Sequence, residues 1–203
     1  MKNVRADHFI ISKIVQSNSR ILDIGCADGK LLHLLEEKNV SGQGIEIDHH
    51  KVESCLKKGL SVIEGDANKE IINFPKESFD YVILSQTLQT VNRPRWIIKE
   101  ILRIGKSAII SFPNFGYWLC RAQIVFNGKM PITSDLKLPW YDTQNIHLCT
   151  IKDFNNLIND LDFKVEKKFG INQNRVVSFP FNLFSLNFIA SHAVFLIRKK
   201  NFN

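Results

Sequence analysis

Short apolar runs alternate with stretches of helical spacing through the first half of the chain. The runs predict five strands, at about Ile21–Ile24, Gly42–Ile47, Leu60–Ile63, Phe79–Leu84 and Ser107–Phe112. Between the runs, apolar residues recur every three or four positions, which is typical of helices packed against a sheet. These stretches predict helices at Asp7–Val15, Lys30–Lys38 and His49–Lys58, and a fourth that begins near Pro94.

The second half begins with a long irregular segment, about 113–149, that is rich in aromatic residues, Asn and Pro. Thr150 and Asp153 then form a capping-box pattern, and the apolar residues that follow predict a helix to about Leu161. Two further strands are predicted, at Phe163–Phe169 and Ala193–Ile197. We therefore expect an α/β fold with a mostly parallel, seven-stranded sheet, helices on both faces, and one domain over 1–203 with a lid or insert at 113–149.

The stretch Asp23-Ile24-Gly25-Cys26-Ala27-Asp28-Gly29 reads as the end of a buried strand, a glycine turn and a helix start. Gly25 and Gly29 let backbone approach a ligand closely, and the helix start offers unpaired N–H groups. Neither the G-x-G-x-x-G dinucleotide pattern nor the phosphate-loop pattern is present. A carboxylate at Asp23 would repel pyrophosphate and suits a cationic ligand, so a nucleotide-like cofactor with positive charge is expected.

Polar residues follow the next three predicted strands at the same edge of the sheet. Glu46 lies about 20 residues beyond the glycine turn, the separation at which an acid meets ribose hydroxyls, with Ile47 beside it and Asp48 as a weaker candidate. Ser85 and Gln86, after the fourth strand, are candidates for contact with the other end of the ligand. An exposed acid and ordinary polar strand ends are the structural alternatives.

Composition changes this interpretation little. The chain has 203 residues, 44% hydrophobic and 23% charged, which is typical of a globular domain, and its net charge of +7 permits partners of negative charge. The basic residues are scattered, so we expect no nucleic-acid binding. Four widely separated cysteines, Cys26, Cys55, Cys120 and Cys149, form no C-x-x-C pair, so reduced thiols and no metal site are expected.

The segment Val176–Ile197 has no charged residue and is long enough to span a membrane. Pro180, Asn182, Asn187 and His192 interrupt it. We therefore predict a buried loop followed by the final strand, and no membrane helix. The N-terminus carries no signal-peptide pattern, because Asp7 and His8 break the first apolar run.

The residues Asp23–Gly29 resemble motif I of the class I S-adenosylmethionine (SAM)-dependent methyltransferases, although Ala27 departs from the usual middle glycine. This resemblance implies a Rossmann-like methyltransferase fold with SAM or S-adenosylhomocysteine (SAH) as ligand. Gly65-Asp66-Ala67 is similar to the class I element in which the acid and a neighbouring N–H contact adenine, although Gly-Asp is also ordinary turn chemistry. The implied cofactor residues are Asp23, Gly25, Cys26, Gly29, Glu46, Ile47, Asp66, Ala67, Ser85 and Gln86.

Four longer phrases resemble the family of methionine biosynthesis protein MetW. They are Val4-Arg5-Ala6-Asp7, Leu84–Gln89, Ser111–Gly116, and Trp140–Thr143 with Asn145–Thr150. The resemblance implies a bacterial, cytoplasmic protein of methionine biosynthesis. It also implies a link to homoserine O-acyltransferase, whose activity MetW-type proteins support.

Two functions of different class stay open at this point. The first is methyl transfer to an unidentified small molecule, with Asp142 or His147 as the base. The second is a non-catalytic partner of homoserine O-acyltransferase that docks through the insert or through Phe179–Ile189. A NAD-linked enzyme is a distant third. The candidate substrate residues of the insert are Asn114, Tyr117, Trp118, Trp140, Tyr141, Asp142, Asn145 and His147.

Overall fold

The computed structural model of the chain describes residues 4–133, 136–177 and 183–200, without the side chains of 183 and 184. The described residues form one eight-stranded sheet with helices on both sides. Its strands are β1 (Arg20–Ile24), β2 (Ser41–Glu46), β3 (Ser61–Glu64), β4 (Phe79–Ser85), β5 (Gly105–Pro113), β6 (Phe163–Asn172), β7 (Arg175–Val177) and β8 (His192–Lys199).

The strand order is β3-β2-β1-β4-β5-β8-β6-β7. The pairs from β3 to β5 are all parallel, and β8 runs antiparallel between β5 and β6. Because five parallel strands end at one edge, the turns that follow β1, β2, β3 and β4 lie side by side there. The expected α/β class is thus confirmed, with eight strands where the sequence predicts seven.

The helices of the first half are those that the pattern predicts, with one short helix added after β3 where a loop is expected, and the second half adds two more. The helices are α1 (Ala6–Ile14), α2 (Lys30–Glu36), α3 (His49–Lys57), α4 (Ala67–Glu70), α5 (Pro94–Ile104), α6 (Trp118–Asn127), α7 (Ile151–Asp160) and α8 (Leu183–Ile189). Short 3₁₀ turns occur at Ile71–Asn73 and Leu88–Thr90. The predicted capping box of α7 is present, with Thr150 Oγ1 accepting from the Asp153 N–H at 3.1 Å.

Alternation along each strand builds a separate core on each face of the sheet. On β4, Val82 and Leu84 pack with α5 and α7 on one face, whereas Tyr81 and Ile83 pack with α1 and α2 on the other. Both faces are therefore apolar, as expected for parallel strands that helices cover on both sides.

Three elements of the second half correct the sequence predictions. The insert, expected to be irregular, contains α6, and the uncharged segment, expected to be a loop before the last strand, contains α8. The third is β7, which pairs with β6 across the turn at Gln173 and Asn174. The first part of the Phe179–Ile189 segment lies outside the described residues. Among the helices described here, each is too short or too polar to cross a membrane.

Candidate functional site

A cleft of about 530 Å³ opens at the carboxyl ends of β1, β2 and β4. This volume lies within the range of small-molecule sites. Its walls include most of the predicted cofactor residues: Asp23, Gly25, Cys26, Glu46, Ile47, Asp66, Ala67, Ser85 and Gln86.

The turn after β1 is held by backbone hydrogen bonds to the neighbouring strand. The N–H groups of Gly25 and Cys26 donate to the Ile45 carbonyl at 2.8 and 3.2 Å. Gly25 has φ +72°, and a Cβ atom there would lie 2.7 Å from Thr87 Oγ1. Glycine is therefore required twice, for the left-handed backbone and for the space beside Thr87.

Gly29, which the sequence predicts to bind the cofactor, is not among the residues that line the cleft. It precedes α2 with φ +74°, and an added Cβ would meet Leu60 Cδ1 at 2.3 Å and Cys55 Sγ at 2.9 Å. Its role in this structure is to let α2 and α3 pack closely. The sequence pattern could not separate that role from ligand contact, since both need a missing side chain.

Glu46 is buried, 7% exposed, and its carboxylate accepts three backbone hydrogen bonds. Oε2 accepts from the Ala27 N–H at 2.8 Å, and Oε1 accepts from the N–H groups of Ile47 and Asp48 at 3.0 and 3.1 Å. These bonds fix the carboxylate at the tip of β2 and join it to the glycine turn. The predicted acid is therefore oriented by the protein itself before any ligand arrives.

Asp23 is 1% exposed, and its Oδ1 atom accepts no hydrogen bond from the described residues. Burial raises the pKa of Asp23 to about 7; Arg5 opposes this shift, while the nearby carboxylates of Asp7 and Glu46 add to it. A buried acceptor without a donor is costly, and a cation would relieve that cost. Asp23 is therefore suited to face a positively charged group in the cleft.

Asp66 lies after β3 as the N-cap of α4. Its Oδ1 accepts from the Asn68 N–H at 2.9 Å and from Asn68 Nδ2 at 2.8 Å. Asp66 therefore stabilises the turn, which is the structural alternative to adenine contact. Asn68 also lines the cleft, and its buried Oδ1 accepts no hydrogen bond from the part of the chain that the structure describes. Sequence reasoning missed Asn68, which follows Asp66 by only two positions.

Ser85 ends β4 and contacts the N-terminal segment, and Gln86 follows it. Ser85 Oγ donates to Asp7 Oδ2 at 3.0 Å and accepts from Arg5 Nη2 at 3.2 Å. Arg5 and His8 both line the cleft, and neither was predicted there. Burial lowers the pKa of His8 to about 4, although Asp7 opposes this shift, so the imidazole is neutral at pH 7.

A second cavity of about 770 Å³ lies beneath the insert and shares Gln86, Thr90 and Gln144 with the cleft. Its lining includes many apolar insert residues: Phe115, Met130, Pro131, Leu136, Leu138, Trp140, Ile146 and Leu148. Asp142 and Asn145 line it, but the half-buried His147 is absent from both walls. The two predicted base candidates are thus not brought together at the cleft.

Other predicted substrate residues of the insert have structural contacts. Asn114 is buried, donates from Nδ2 to the carbonyls of Asn187 and Ala190, and accepts at Oδ1 from the N–H groups of Gly116 and Ile151. Tyr117 packs with Cys120 in a small apolar cluster. Trp118 and Tyr141 are exposed and line neither cavity.

Cys26, the cysteine that lines the cleft, is a buried thiol. Burial is the main factor that raises the pKa of Cys26, whose Sγ lies where a Cβ at Gly44 would be. The four cysteines are free. Within the described parts of the chain, no three His, Cys, Asp or Glu side chains are grouped as metal ligands.

Comparisons with known proteins agree with this architecture. The family model described as methionine biosynthesis protein MetW matches residues 5–197. The bifunctional methionine biosynthesis protein MetXA/MetW of Rhodopirellula baltica is 31% identical over 175 residues, which cover 81% of this chain and 28% of that protein. This chain therefore corresponds to less than a third of that relative's length.

Solved structures share the fold at low identity. A SAM-dependent methyltransferase from Thermotoga maritima superposes with a TM-score of 0.65 at 18% identity, over 96% of this chain and 88% of that one. Another from Aquifex aeolicus gives a TM-score of 0.64 at 13% identity, over 96% and 90%. The Rossmann-like methyltransferase fold expected from the sequence is thus confirmed, and the chain belongs to the methionine biosynthesis protein MetW family.

Proposed function

We propose that this MetW-family chain binds SAM in the cleft at the carboxyl ends of β1, β2 and β4. One observation carries the proposal: the carboxylates of Asp23, Glu46 and Asp66, from three successive strand ends, line the same cleft. The residues fit the cofactor, because the described residues leave a buried oxygen of Asp23 without a donor and Gly25 lets the Thr87 side chain reach the wall of the cleft. The neighbouring folds are those of SAM-dependent methyltransferases.

In this proposal each part of the cofactor has its own group of residues. Glu46 accepts hydrogen bonds from the ribose hydroxyls, with Ile47 beside the adenosine. Asp66, Ala67 and Asn68 meet the adenine edge. Asp23 faces the ammonium group, next to Ser85 and Gln86 at the methionine end. Gly25 and Cys26, in the turn after β1, form the wall of the cleft beside the cofactor.

Methyl transfer to a small molecule is the activity that this arrangement supports best. SAM supplies an electrophilic methyl group when bound, and the protein's contribution is to hold an acceptor in line with it. The apolar cavity beneath the insert adjoins the cleft at Gln86, Thr90 and Gln144, which makes it the acceptor site in this proposal. Asp142, on its wall, is the better placed of the two proposed bases.

A non-catalytic role beside homoserine O-acyltransferase is the second candidate. The Rhodopirellula relative carries the names MetXA and MetW in one polypeptide, which supports association between the two activities. The insert also presents exposed apolar side chains on α6, with Val125 74% and Phe126 84% exposed. Such side chains are typical of a protein contact. In this reading the cleft binds SAM as a sensor or as a structural ligand.

Calorimetric titration of the full chain with SAH tests the first proposal. We expect saturable one-site binding of SAH and no heat with NAD, because the turn lacks the second glycine of the dinucleotide pattern. Absence of SAH binding would overturn both candidate functions as stated here. Binding of NAD with similar affinity would favour the dehydrogenase alternative.

Activity of the acyltransferase, measured with and without this chain and SAM, separates the two candidates. A rise in acyltransfer that needs this chain, together with co-elution of the two proteins, supports the partner role. An acyltransferase that works equally well alone contradicts it. Release of SAH on addition of a small acceptor would then support methyl transfer.

A further inference from the structure

Two of the four cysteines meet behind the glycine turn of the cleft. Cys26 belongs to the turn after β1, and Cys55 lies on α3. Cys55 Sγ donates to the Ala27 carbonyl at 3.2 Å, and the thiols of Cys26 and Cys55 share a hydrogen bond with each other. The fold thus joins two sulfur atoms that are widely separated in sequence, where the absence of a C-x-x-C pair predicts no such contact.

Glycines from two elements leave the space that the two sulfur atoms fill. An added Cβ at Gly44, on β2, would lie 2.5 Å from Cys26 Sγ, and one at Gly29 would lie 2.9 Å from Cys55 Sγ. Both cysteines belong to the apolar core on the α1 and α2 side of the sheet. The pair is therefore held in a confined, apolar recess.

Cys26 connects this recess with the cleft. It is 5% exposed and lines the cleft, whereas Cys55 is fully buried behind it. A small ion that enters the cleft therefore meets Cys26 first and Cys55 next.

Both thiols are protonated at pH 7. Burial is the largest cause that raises the pKa of each thiol, and the charges of Asp23 and Glu46 add to the shift at Cys26. Protonated thiols oxidise slowly, because the thiolate is the nucleophile in disulfide formation. A soft metal ion acts differently from an oxidant, since it displaces the protons and binds the sulfur atoms directly.

We propose that Cys26 and Cys55 form a binding site for a soft metal ion, held in two-coordinate geometry between their thiolates at the wall of the cleft. Thiolates select soft ions over hard ones. Each thiol releases one proton to solvent as its sulfur–metal bond forms, so a divalent ion such as Hg(II) leaves the site neutral. A monovalent ion such as Cu(I) leaves one negative charge near Asp23 and Glu46. This site needs no SAM and goes beyond the proposed function.

Competition with glutathione tests whether two sulfur atoms hold one ion. Equimolar Hg(II) is loaded onto the full chain, glutathione is added, and the metal that stays with the protein on gel filtration is measured. We expect the wild type to need roughly 100-fold more glutathione to lose half of its metal than Cys26→Ser or Cys55→Ser, because the second thiolate binds the same ion intramolecularly.

Cys120→Ser is the matched control. Cys120 is also buried, 1% exposed, but belongs to a separate apolar cluster with Tyr117 and Leu136, so its variant is expected to retain metal as the wild type does. Cys55→Ala is the second variant, for the case in which a buried serine hydroxyl unfolds the chain, and circular dichroism checks folding. A wild type that loses its metal at the same glutathione concentration as folded Cys55→Ser or Cys55→Ala overturns the inference.

Proton release gives a readout that needs no variant. Calorimetric titration with Hg(II) in buffers of different ionisation enthalpy counts the protons released for each ion bound. We expect about two protons per Hg(II) for the wild type and about one for Cys55→Ser. Release of a single proton by the wild type contradicts binding by the pair.

A last arm separates ions of different charge. Cu(I), kept reduced under nitrogen, goes through the same competition in the wild type and in Cys55→Ser. We expect Hg(II) to show the larger difference between the two proteins, because an apolar recess favours a neutral site. A difference for one ion alone assigns the site to ions of that charge, and no difference for either ion overturns the inference. These titrations contain no SAM, so their failure leaves the proposed function standing.

Discussion

The cofactor cleft and the insert differ in how the chain builds them. In the cleft, backbone N–H groups converge on the buried carboxylate of Glu46, and Gly25 is confined against Thr87. In the insert, large apolar side chains face solvent: eleven of the seventeen such exposed residues that the described part of the chain contains. Hydrogen bonds and close packing fix the cleft, whereas the insert exposes an apolar surface.

This contrast indicates which region suits a small ligand and which suits an acceptor or a protein partner. A rigid, polar cleft suits a small ligand whose charged groups meet matching partners. An apolar, exposed helix such as α6 suits a protein contact or a substrate that buries it. Changes in the cleft are therefore expected to affect SAH binding, and changes in the insert are expected to affect acceptor or partner binding.

Gly25→Ala gives the largest expected effect. Its new Cβ lies 2.7 Å from Thr87 Oγ1 and the backbone has φ +72°, so we expect destabilisation by about 1–3 kcal/mol and SAH affinity reduced by more than roughly 100-fold. Calorimetry and denaturant unfolding measure the two quantities.

Gly59→Ala is the matched control for that prediction. Gly59 has φ +77°, but a Cβ there meets nothing within 4 Å. We expect the same backbone strain, about 1 kcal/mol, with SAH binding unchanged. Equal loss of SAH affinity in both variants would show that the effect of Gly25 is general instability and not the shape of the cleft.

Glu46→Gln is expected to have the next largest effect. The amide keeps the size of the side chain but loses its charge. Its NH2 group also cannot accept a hydrogen bond, so either the Ala27 N–H or the N–H groups of Ile47 and Asp48 lose their acceptor. We expect SAH affinity to fall by roughly 10- to 100-fold. Glu64→Gln, at the exposed end of the neighbouring β3, is expected to leave it unchanged.

Asp23 is expected to give SAH binding a pH dependence of about tenfold. Its pKa of about 7 means that the free protein must release a proton before the carboxylate meets an ammonium. Affinity is therefore expected to rise by about tenfold between pH 6 and 7.5, a range in which the ligand's amino group stays mostly protonated. Titration of Asp23→Asn over the same range is expected to give a flat profile.

Asp23 also contributes a pH-dependent part of the stability of the unliganded protein. Because its folded pKa exceeds the unfolded value near 3.8, the folded state holds the proton more tightly. The contribution of Asp23 to stability is therefore expected to fall as pH rises from about 4 to about 7, whereas His8, whose pKa is lowered to about 4, contributes stability that rises over about pH 4 to 6.5. The difference in unfolding free energy between wild type and Asp23→Asn isolates the Asp23 part, and a difference that does not change over this range contradicts this account of Asp23.

Phe126→Ser is expected to have the smallest effect on the cleft. The side chain is 84% exposed on α6, so we expect unfolding free energy within about 0.5 kcal/mol of wild type and SAH affinity within about twofold. Its effect is expected in co-elution with homoserine O-acyltransferase, which it weakens under the partner proposal. A large loss of SAH affinity instead would contradict the separation of the two regions.

Much of the cleft follows from local sequence. Strand ends at Asp23, Glu46 and Ser85 are readable because each follows an apolar run, and parallel strands bring such ends to one edge. The pattern predicts ligand contact at Gly29, where an added Cβ would meet Leu60 and Cys55. A glycine in a sequence pattern indicates that no side chain fits at that position. It does not indicate whether a ligand or a neighbouring part of the protein occupies the space.

The missed features depend on contacts between distant positions. Arg5 and Asp7 reach Ser85 and Ser111, about 80 to 104 positions away, through side-chain hydrogen bonds that no periodicity reports. Helix α6 was missed because its consecutive apolar residues, 124–126, do not form a stripe, and they are exposed in the structure. Strand β7 is only three residues long.

A crystal structure of the chain with SAH tests the central claim most directly. The account predicts both ribose hydroxyls within hydrogen-bond distance of Glu46, and the ligand's ammonium group beside Asp23. SAH bound elsewhere on the chain, or in this cleft with its ribose turned away from Glu46, would contradict it.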